Sequence, residues 1–403
     1  MKRVCHILHG WYMTDSRVKL EAESLVDAGC SVDVICIGEK GQPARSVVNG
    51  VNVYRLPLAR ERGSMIRYLY EYAAFFVLTS LVLAFRIGKR YCAIHANNMP
   101  DFLVFTALLP KLFGCKVVLD VHDMMPELFQ SKYGLSEHSI VVRMLRWQLK
   151  WSVRFSDAVI TTSYEMRRVL QSIVPGKDVT LLMNMPNAGF VEAALRPPAD
   201  RAQVKPEFRM LYTGTVSERY GLQTVIEALP ELRQRIPGIS LSIVGSGDQV
   251  PELQELAGNL GVSDCVEFRG YVPWMSIPEL IRESDVGVSA LLNDIHNDLC
   301  FVGKVIEYAT AGLPTIVSRT RAMEYYYNDG VVKFFRGGDV KSFQEAVIEL
   351  YESPELRETM SRRGVEFGGQ WNWNVERAKY VGLIGSLCGG VATPAGDGVG
   401  QDN

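Results

Sequence analysis

The sequence lacks any C-x-x-C pair, although it contains eight cysteines, at positions 5, 30, 36, 92, 115, 265, 300 and 388. Most of them lie in apolar, strand-like runs, which argues against a disulfide framework or a zinc site and favours a reducing cytosol. A long apolar run is also missing. The longest, Ala73 to Phe85, is shorter than the roughly 20 residues of a membrane-spanning helix, and Thr79 and Ser80 interrupt it. We expect a buried or interfacial helix there.

Signatures of several common protein classes are absent as well. Neither G-x-G-x-x-G nor G-x-x-x-x-G-K-[ST] occurs at the glycine-rich turns described below, so dinucleotide-binding and P-loop interpretations lose their main support. The N-terminal MKRVCHILHGW has only a short apolar run, interrupted by His6 and His9, and predicts a first strand rather than a signal peptide. We therefore expect a cytosolic protein that is not exported.

The sequence does have enough apolar material for two cores. Its 403 residues are 47% hydrophobic, and single cores usually stop growing near about 250 to 300 residues. The net charge of −2 combines a basic first half with an acidic second half. A basic half could face anionic lipid or a charged acceptor, although surface charges scattered for solubility would give the same total.

Two series of short β-rich runs alternate with helical segments. The first half contains RVCHILHG, SVDVICIG, CAIHA, KVVLDVH and DAVITTS, and the second half contains FRMLYTG, ISLSIVGSG, CVEFRGY, SDVGVSAL and LPTIVS. This rhythm predicts two doubly wound α/β domains, at 1–187 and 208–370. We expect a linker at 188–207, a C-terminal helix at 371–388 and a disordered, glycine-rich tail at 389–403.

Three strand-to-helix turns of the second half, at 212–222, 244–248 and 301–308, are rich in glycine or small residues. In open α/β sheets, ligands bind beyond the carboxyl ends of the strands, where backbone N–H groups favour phosphate. Each turn is a candidate anion site, with backbone geometry as the competing explanation of its glycines. In the third turn, Lys304 and Glu307 lie on one helical face. A bound anion would explain a cation at a helix N-terminus; an exposed ion pair is the alternative.

The segment GKVIEYATAGLPTIVS resembles the K-x-x-E-Y-x-A-x-G-x-P signature of retaining glycosyltransferases of family 4, two-domain GT-B enzymes that use nucleotide sugars. LYTGTVSERYGL, SIVGSGD and VEFRGYVPWMSIPELIRESDVGVSAL resemble other segments of that family, as do DSRVKLEAESLVDAGCSVDVI and VVLDVHDMMPELF in the first domain. The resemblance covers most of residues 1 to 380. It implies a GT-B fold, with two doubly wound Rossmann-like domains, a cleft between them and a C-terminal helix that crosses back to the first domain.

The resemblance implies roles for residues of the second domain. Glu307 matches a glutamate that accepts hydrogen bonds from the donor ribose hydroxyls. Lys304 matches the residue that neutralises the diphosphate as the leaving group departs, assisted by the N–H groups of Gly303 and Val305. The other donor-binding candidates are the turn residues Gly10, Gly214 and Gly245 and the base-reading loop residues Tyr271 and Val272. A core role is the competing explanation for Val272.

In the first domain, His122 matches a histidine that lines the cleft and contacts the transferred sugar, where a neutral ring can both donate and accept. A histidine satisfied inside the sheet is the alternative. Asp123 and Glu127 could meet the acceptor, although helix N-capping competes as the account of Asp123. Arg17 is placed to reach the cleft and could equally pair with Glu21 along its helix. We predict that His122, together with the lysine and glutamate of the signature, is catalytic.

The sequence departs from the family pattern at two places. Thr215 and Tyr220 occupy positions where many relatives have an arginine and a lysine as diphosphate clamps, so Arg219 is our candidate replacement. Leu299 replaces a glutamate that commonly meets the sugar hydroxyls, and Asp298 is the nearest acid. No D-x-D occurs near the site, so we expect neither an obligatory divalent metal nor a cofactor.

A basic and aromatic helix face predicts contact with a membrane surface. Its basic residues are Arg143, Arg146, Lys150 and Arg154, and Trp147 and Trp151 lie beside them. Such a composition is typical of a helix that lies on anionic lipid, although a solvated charged face is the alternative.

These patterns together favour a retaining, metal-independent hexosyltransferase. We expect it to act on a lipid-linked or polysaccharide-precursor glycan at the cytoplasmic face of the membrane, with no nucleic acid partner. The alternatives are a nucleotide-sugar epimerase or hydrolase of the same fold, and a catalytically silent sugar-nucleotide-binding scaffold.

Overall fold

The computed structural model describes residues 1–39, 41–58, 65–86, 90–195 and 207–390. The chain forms two compact units. The first unit comprises Met1–Met183 and Val375–Asn403, and the second comprises Asn184–Asn374. Most of the predicted linker, 196–206, and most of the predicted tail, 391–403, lie outside the described residues.

The first unit contains one sheet with helices packed against it. Its strands are β1 (Arg3–Leu8), β2 (Ser31–Ile37), β3 (Arg45–Val48), β4 (Val51–Leu56), β5 (Ala93–Asn97), β6 (Lys116–Val121), β7 (Ala158–Thr161) and β8 (Val179–Leu181). Its helices before residue 184 are α1 (Ser16–Asp27), α2 (Met65–Phe85), α3 (Leu108–Leu112), α4 (Met125–Tyr133), α5 (Ile140–Phe155) and α6 (Tyr164–Ile173). Within the described residues, eight strands run in the order β3-β4-β2-β1-β5-β6-β7-β8, parallel except for β3 beside β4.

Central strands of this sheet are buried along almost their whole length because both faces are covered. All but the first residue of β1 and of β6 are buried. The flanking helices begin at polar caps: Asp15 accepts a hydrogen bond from Val18 N–H at the start of α1, and Ser139 accepts from Val142 N–H at the start of α5. The parallel order brings the carboxyl ends of β1, β5 and β6 to the same edge.

The second unit repeats this architecture with a smaller sheet. Its strands are β9 (Phe208–Thr213), β10 (Ile239–Val244), β11 (Val266–Gly270), β12 (Val286–Ser289), β13 (Thr315–Ser318) and β14 (Lys333–Phe335). Its helices are α7 (Ala188–Ala194), α8 (Leu222–Arg235), α9 (Val250–Asn259), α10 (Ile277–Glu283), α11 (Gly303–Thr310), α12 (Arg321–Tyr326), α13 (Val340–Glu352) and α14 (Pro354–Gln370). In the described part of this unit, the sheet order is β11-β10-β9-β12-β13-β14, with every pair parallel.

The last helix, α15 (Trp373–Leu387), packs on the first unit. Tyr380 and Ile384 belong to the apolar core of that unit. Glu376 accepts a hydrogen bond from the backbone N–H of Met183 at 3.0 Å, at the end of the first unit's main segment. The chain therefore leaves the first unit, builds the second, and returns to complete the core of the first.

Two cysteines form a disulfide, which the sequence analysis did not expect. Cys92, just before β5, pairs with Cys388, just after α15, and their Cα atoms lie 5.3 Å apart. The expectation was wrong for this pair because 296 residues separate the two cysteines, so no local spacing could reveal them. The other six cysteines, all within the described residues, are free.

The apolar run from Ala73 to Phe85 forms the second half of α2. Phe75 and Leu83 are fully buried, whereas Val77 and Phe85 are exposed. None of the helices in the described ranges combines the length and apolar character that a membrane crossing requires.

Candidate active site

The glycine-rich turns of the second unit pack on one another at the carboxyl ends of β9 and β10. The N–H of Gly214 donates to Val244 O at 2.9 Å, and the N–H of Gly245 donates to Gly270 O at 2.8 Å. A Cβ on Gly245 would lie 1.8 Å from Gly214 O. Backbone geometry therefore explains Gly245, and the N–H groups of Gly214 and Gly245 are both engaged by carbonyl oxygens.

Lys304 lies in the first turn of α11 and extends over two tyrosine rings. Its Nζ atom is 3.6 Å from the ring centroid of Tyr212 and 4.9 Å from that of Tyr220. A Cβ on Gly214 would lie 3.0 Å from the same Nζ. Burial lowers the pKa of Lys304 to about 7, and Glu307 partly offsets this effect. Tyr220, at the position of the missing clamp lysine, thus contacts the cation instead of supplying one.

Glu307 is held by a residue that the sequence analysis did not identify as part of the site. The indole Nε1 of Trp274 donates a hydrogen bond to Oε1 of Glu307 at 3.1 Å. The Trp274 ring stacks on Phe190, with the centroids 4.7 Å apart. Burial raises the pKa of Glu307 to about 7, opposed by the Trp274 hydrogen bond and by Lys304. The proximity of Trp274 to the predicted base-reading loop was the available signal.

Arg219 and Lys304 both lie near the ring of Tyr220. The Arg219 guanidinium is 5.0 Å from the ring of Tyr220 and bonds the Tyr220 hydroxyl at 3.1 Å. The positive charge of Arg219 adds to the lowering of the Lys304 pKa. The side-chain amide of Asn297, a residue not predicted for the site, donates to Arg219 O at 3.0 Å and so fixes the turn. Thr215 contributes its carbonyl oxygen, which accepts from the Tyr212 hydroxyl at 2.5 Å.

The segment before α11 contains the second departure from the family pattern. Leu299 is buried, and its hydrocarbon side chain has no group that could hydrogen-bond to a sugar hydroxyl. Asp298, the nearest acid, pairs with Arg321 at 3.0 Å. In the predicted base-reading loop, Tyr271 is exposed, whereas Val272 packs against an apolar cluster that includes Phe190. Val272 therefore makes the core contact that was the alternative to base reading.

In the first unit, an asparagine holds the turn that carries His122. Asn98 Oδ1 accepts hydrogen bonds from the N–H groups of His122 at 3.1 Å and Asp123 at 3.4 Å. Its Nδ2 donates to Asp123 O at 2.6 Å and to Asp101 at 2.9 Å. Nothing in the local sequence marks Asn98, because it acts across neighbouring strands. The His122 side chain is 24% exposed just beyond β6, which does not fit a histidine satisfied inside the sheet.

Arg17 is engaged within the first unit. Its guanidinium donates to both carboxylate oxygens of Asp120, at 2.6 and 3.0 Å, and to Leu182 O at 3.0 Å. It also lies 3.2 Å from Glu21, the alternative pair considered from the sequence. Because the side chain is buried in these contacts, the geometry supports a structural role for Arg17 over the acceptor contact expected from the sequence.

The other acceptor-side candidates lie at the first turn of α4. The N-cap of α4 is Met124, whose side chain makes no capping hydrogen bond, and Asp123 directly precedes it. Glu127 is buried, burial raises its pKa, and Arg146 on α5 lies 3.9 Å from it. At the first turn of the chain, Gly10 O accepts from the N–H of Ile37 at 3.0 Å.

A buried trio of possible metal ligands fits a hydrogen-bond network better than an ion. Atoms of His6, Glu21 and His95 lie within 4.8 Å of one another. The Tyr380 hydroxyl bonds His95 Nδ1 at 2.8 Å and His6 Nε2 at 3.1 Å. The Arg17 guanidinium beside Glu21 would repel a cation.

A groove of about 640 Å³ lies at the opposite edge of the second sheet. Arg209, Asp264 and Glu267 line it, near the amino ends of β9 to β11. Ligands of parallel sheets bind at the carboxyl ends, so we do not assign the site to this groove.

Comparisons with known proteins agree with the fold. A family described as "Glycosyl transferase 4-like domain" matches residues 15–184, and one described as "Glycosyl transferases group 1" matches residues 207–353. The chain superimposes on sucrose-phosphate synthase from Thermosynechococcus elongatus with a TM-score of 0.79 and 19% identity, covering 96% of this chain and 99% of that one. For the glycosyltransferase WaaG the TM-score is 0.70 and the identity 15%, covering 94% and 99%.

Sequence relatives are glycosyltransferases as well. The chain is 26% identical over 295 residues to alpha-D-kanosaminyltransferase of Streptomyces kanamyceticus, covering 68% of this chain and 71% of that protein. It is 30% identical over 197 residues to a GDP-mannose-dependent phosphatidylinositol monomannoside mannosyltransferase of Mycobacterium tuberculosis, covering 46% and 51%. The chain thus spans about half the length of that mannosyltransferase.

Two α/β units, each with a largely parallel sheet, define the GT-B fold class. With domain families matched in both halves, the chain belongs to the glycosyltransferases of family 4, as its sequence signature implied.

Proposed function

We propose that this glycosyltransferase transfers a hexose-type sugar from a nucleotide-diphosphate donor, with retention of configuration and without a divalent metal. The proposed acceptor is a lipid-linked or polysaccharide-precursor glycan at the cytoplasmic face of a membrane. The observation that carries the proposal is the Lys304 and Glu307 pair on the first turns of α11, beside the stacked glycine turns. Two similar proteins support a nucleotide-sugar donor: one relative is a GDP-mannose-dependent mannosyltransferase, and a structural neighbour, Anabaena HepE, is in complex with UDP-glucose.

The proposed role of Glu307 is to bind the ribose of the donor. A carboxylate can accept two hydrogen bonds from vicinal hydroxyls. Trp274 bonds to Oε1, which fixes the plane of the group and leaves Oε2 for a ligand. This arrangement supports donor recognition over an ordinary surface ion pair.

The proposed role of Lys304 is to stabilise the departing diphosphate. The N-cap of α11, Val302, makes no side-chain hydrogen bond, and its carbonyl oxygen accepts from Val305 N–H at 3.0 Å, which leaves the N–H groups of Gly303 and Lys304 as the candidates for an anion. Lys304, Arg219 and these N–H groups together form a positive region. A charge of this kind could replace the metal ion that other transferases use, which supports metal independence.

In the first unit, we assign the transferred sugar to His122 and the acceptor to the turn of Asp123 and Glu127. The Asn98 hydrogen bonds hold this turn in place, as a binding site requires. The buried Glu127 has one carboxylate oxygen without a hydrogen-bond partner among the described residues. An acceptor hydroxyl could donate to this oxygen.

Membrane docking is supported by the exposed face of α5. Arg143 and Arg154 are exposed, and Trp147 and Trp151 keep 66% and 45% of their surface in solvent. Arg154 also lies 5.4 Å from the Trp151 ring. Exposed tryptophans among cations are typical of helices that lie at a lipid headgroup region, whereas a solvated face would more often be polar.

The test of the proposed function is turnover combined with donor binding. Lys304→Ala and Glu307→Gln should abolish transfer to lipid-linked acceptors, while Lys341→Ala and Glu345→Gln on the exposed face of α13 retain it. Thermal shifts against UDP-, GDP-, ADP- and dTDP-sugars would identify the donor, because at equal concentration the ligand that binds most tightly stabilises the fold most. Normal turnover in both site variants contradicts the proposal.

Product analysis distinguishes sugar transfer from the two alternative functions, a nucleotide-sugar hydrolase or epimerase and a silent scaffold. Release of free sugar or an epimerised donor without acceptor would favour a hydrolase or epimerase. Tight donor binding without turnover would favour a silent scaffold, which Thr215, Tyr220 and Leu299 otherwise suggest.

A further inference from the structure

Asp120 lies at the centre of a buried polar cluster in the first unit. It is fully buried at the end of β6, and Arg17 donates to both of its oxygens. Its Oδ2 atom also lies 3.7 Å from Nδ1 of His122. Nδ1 of His122 has no hydrogen-bond partner among the described residues. A small rotation of the His122 ring would therefore let Asp120 accept the Nδ1 proton.

The C-terminal helix also packs against this cluster. Tyr380 of α15 bonds His95 at 2.8 Å and His6 at 3.1 Å through one hydroxyl. His95 Nε2 lies 4.0 Å from Oδ2 of Asp120. Tyr380, His95 and His6 are all fully buried, so water does not reach Asp120 from this side.

Within the cluster, the charged pair at neutral pH is Arg17 with Asp120. Burial raises the pKa of Glu21 to about 8, with Arg17 opposing, so Glu21 retains its proton at pH 7. Burial lowers the pKa of His95 to about 4 and also lowers that of His6, so both rings are neutral. Burial would raise the pKa of Asp120, but Arg17 and His122 outweigh it and keep the carboxyl ionised.

We propose that Asp120 is a positioning residue for His122: held by Arg17, it binds the Nδ1 side of the ring and leaves Nε2 for the ligand. The catalytic role of His122 rests on the proposed function, but the contact of Asp120 with His122 does not. In this arrangement Arg17 fixes one orientation of the Asp120 carboxylate. Helix α15 excludes water from the same carboxylate.

The charges around His122 predict the direction of its titration. They are Arg17 and Glu21 on α1, His95 on β5, Asp101 beyond β5, and Asp120 and Asp123 beside the ring. Burial acts to lower the pKa of His122, but Asp120, aided by Asp123, raises it above the ordinary value while Arg17 opposes. Removing the charge of Asp120 should therefore move the titration midpoint to lower pH.

The experiment is an NMR titration of the His122 Cε1–Hε1 signal in the full chain, assigned by its loss in His122→Asn. In the unaltered protein the midpoint should lie above about 6.5, the ordinary value for histidine. In Asp120→Asn it should fall by about 1 unit or more, the usual effect of an opposite charge within 4 to 6 Å. A midpoint at or below the ordinary value in the unaltered protein overturns the proposal, even if the variant does not fold.

Glu21→Gln is the matched control. Glu21 is equally buried and also beside Arg17, but it carries a proton at neutral pH, so the amide resembles it closely. The His122 midpoint should stay unchanged in this variant. An equal shift in both variants would mean that packing, not the charge of Asp120, sets the titration, and the proposal would fail.

Kinetics give the second readout. Asp120→Asn should lower kcat at least about tenfold with KM for the donor nearly unchanged, because the ribose and diphosphate contacts proposed for Glu307 and Lys304 lie in the other unit and Asp120 acts only through His122. It should also shift the pH profile of kcat in the direction of the His122 midpoint. If the NMR shift appears without any effect on kcat, Asp120 positions His122 as proposed, but His122 has no role in the chemistry and that part of the proposed function fails.

Discussion

The indole N–H of Trp274 donates to Oε1 of Glu307 over 3.1 Å, while Phe190 stacks on the same indole ring. Trp274, which lies outside the family signature, therefore orients Glu307, which belongs to that signature. The stacking fixes the indole, and the indole fixes the carboxylate. Donor affinity should depend on this chain of contacts.

Trp274→Phe tests this relationship because it keeps an aromatic ring against Phe190 and removes the N–H donor. We expect donor affinity to fall about 10- to 100-fold, since a hydrogen bond to a charged group contributes about 1.5 to 3 kcal/mol. Calorimetric titration with the donor identified by thermal shift measures the change. Trp371→Phe, at another aromatic contact of the second unit, is the control and should leave affinity unchanged. Equal affinity in Trp274→Phe would show that the hydrogen bond does not matter.

The pH dependence of donor binding should be bell-shaped and centred near pH 7. Lys304, with its pKa lowered to about 7, loses its charge as the pH rises above that value and then attracts diphosphate less. Glu307, with its pKa raised to about 7, becomes protonated as the pH falls and can no longer accept from two hydroxyls. Dissociation constants measured between pH 5.5 and 8.5, a range of about 1.5 units on each side, would show both limbs.

Substitutions separate the two limbs of that profile. Lys304→Met should remove the alkaline limb, and Glu307→Gln should remove the acid limb, each at reduced affinity. A profile that stays flat in the unaltered protein would contradict the assignment of both groups to donor binding.

Gly287 of β12 is predicted to tolerate no side chain. A Cβ there would lie 2.4 Å from the Tyr308 ring, which is fully buried and bonded to Thr213 at 2.7 Å. Gly287→Ala should therefore lower the free energy of unfolding by about 1 to 3 kcal/mol through overpacking. Gly258→Ala, in α9 with its nearest contact at 3.9 Å, should be neutral or stabilising. Urea unfolding of both variants measures the difference, and equal stability would mean that the ring moves aside.

Binding to anionic vesicles tests the membrane surface. Trp147→Ser combined with Arg154→Glu should reduce sedimentation with phosphatidylglycerol vesicles by about tenfold, because it removes an apolar anchor and reverses a charge. The binding of the unaltered chain should weaken as salt rises from about 0.05 to 0.5 M. Arg235→Glu, on the exposed surface of the second unit, serves as the charge control. If the control loses as much binding, attraction is nonspecific and α5 is not the docking face.

The fold was predictable because its signals are local. Apolar β-rich runs alternating with amphipathic segments specify parallel strands and crossover helices, and each of the ten predicted runs forms a strand. Four further strands in the described part of the chain, β3, β4, β8 and β14, were not predicted from the sequence. The disulfide of Cys92 with Cys388 was not predictable, because the two residues meet only when α15 packs on the first unit. The roles of Asn98 and Trp274 were not predicted for the same reason, since each residue bonds to one at least 24 positions away.

The sequence by itself determined the architecture of two parallel sheets, the family and the signature residues Lys304 and Glu307. Periodicity and short motifs carry that information because neighbouring residues share one strand, turn or helix. Only the tertiary structure decided which groups surround the site residues. Tyr212 lies against Lys304 and Trp274 bonds to Glu307 in the second unit, and Arg17 bonds to Asp120 in the first. Burial and charge depend on contacts between distant segments, so the pKa values and orientation of the site groups follow from folding and not from spacing.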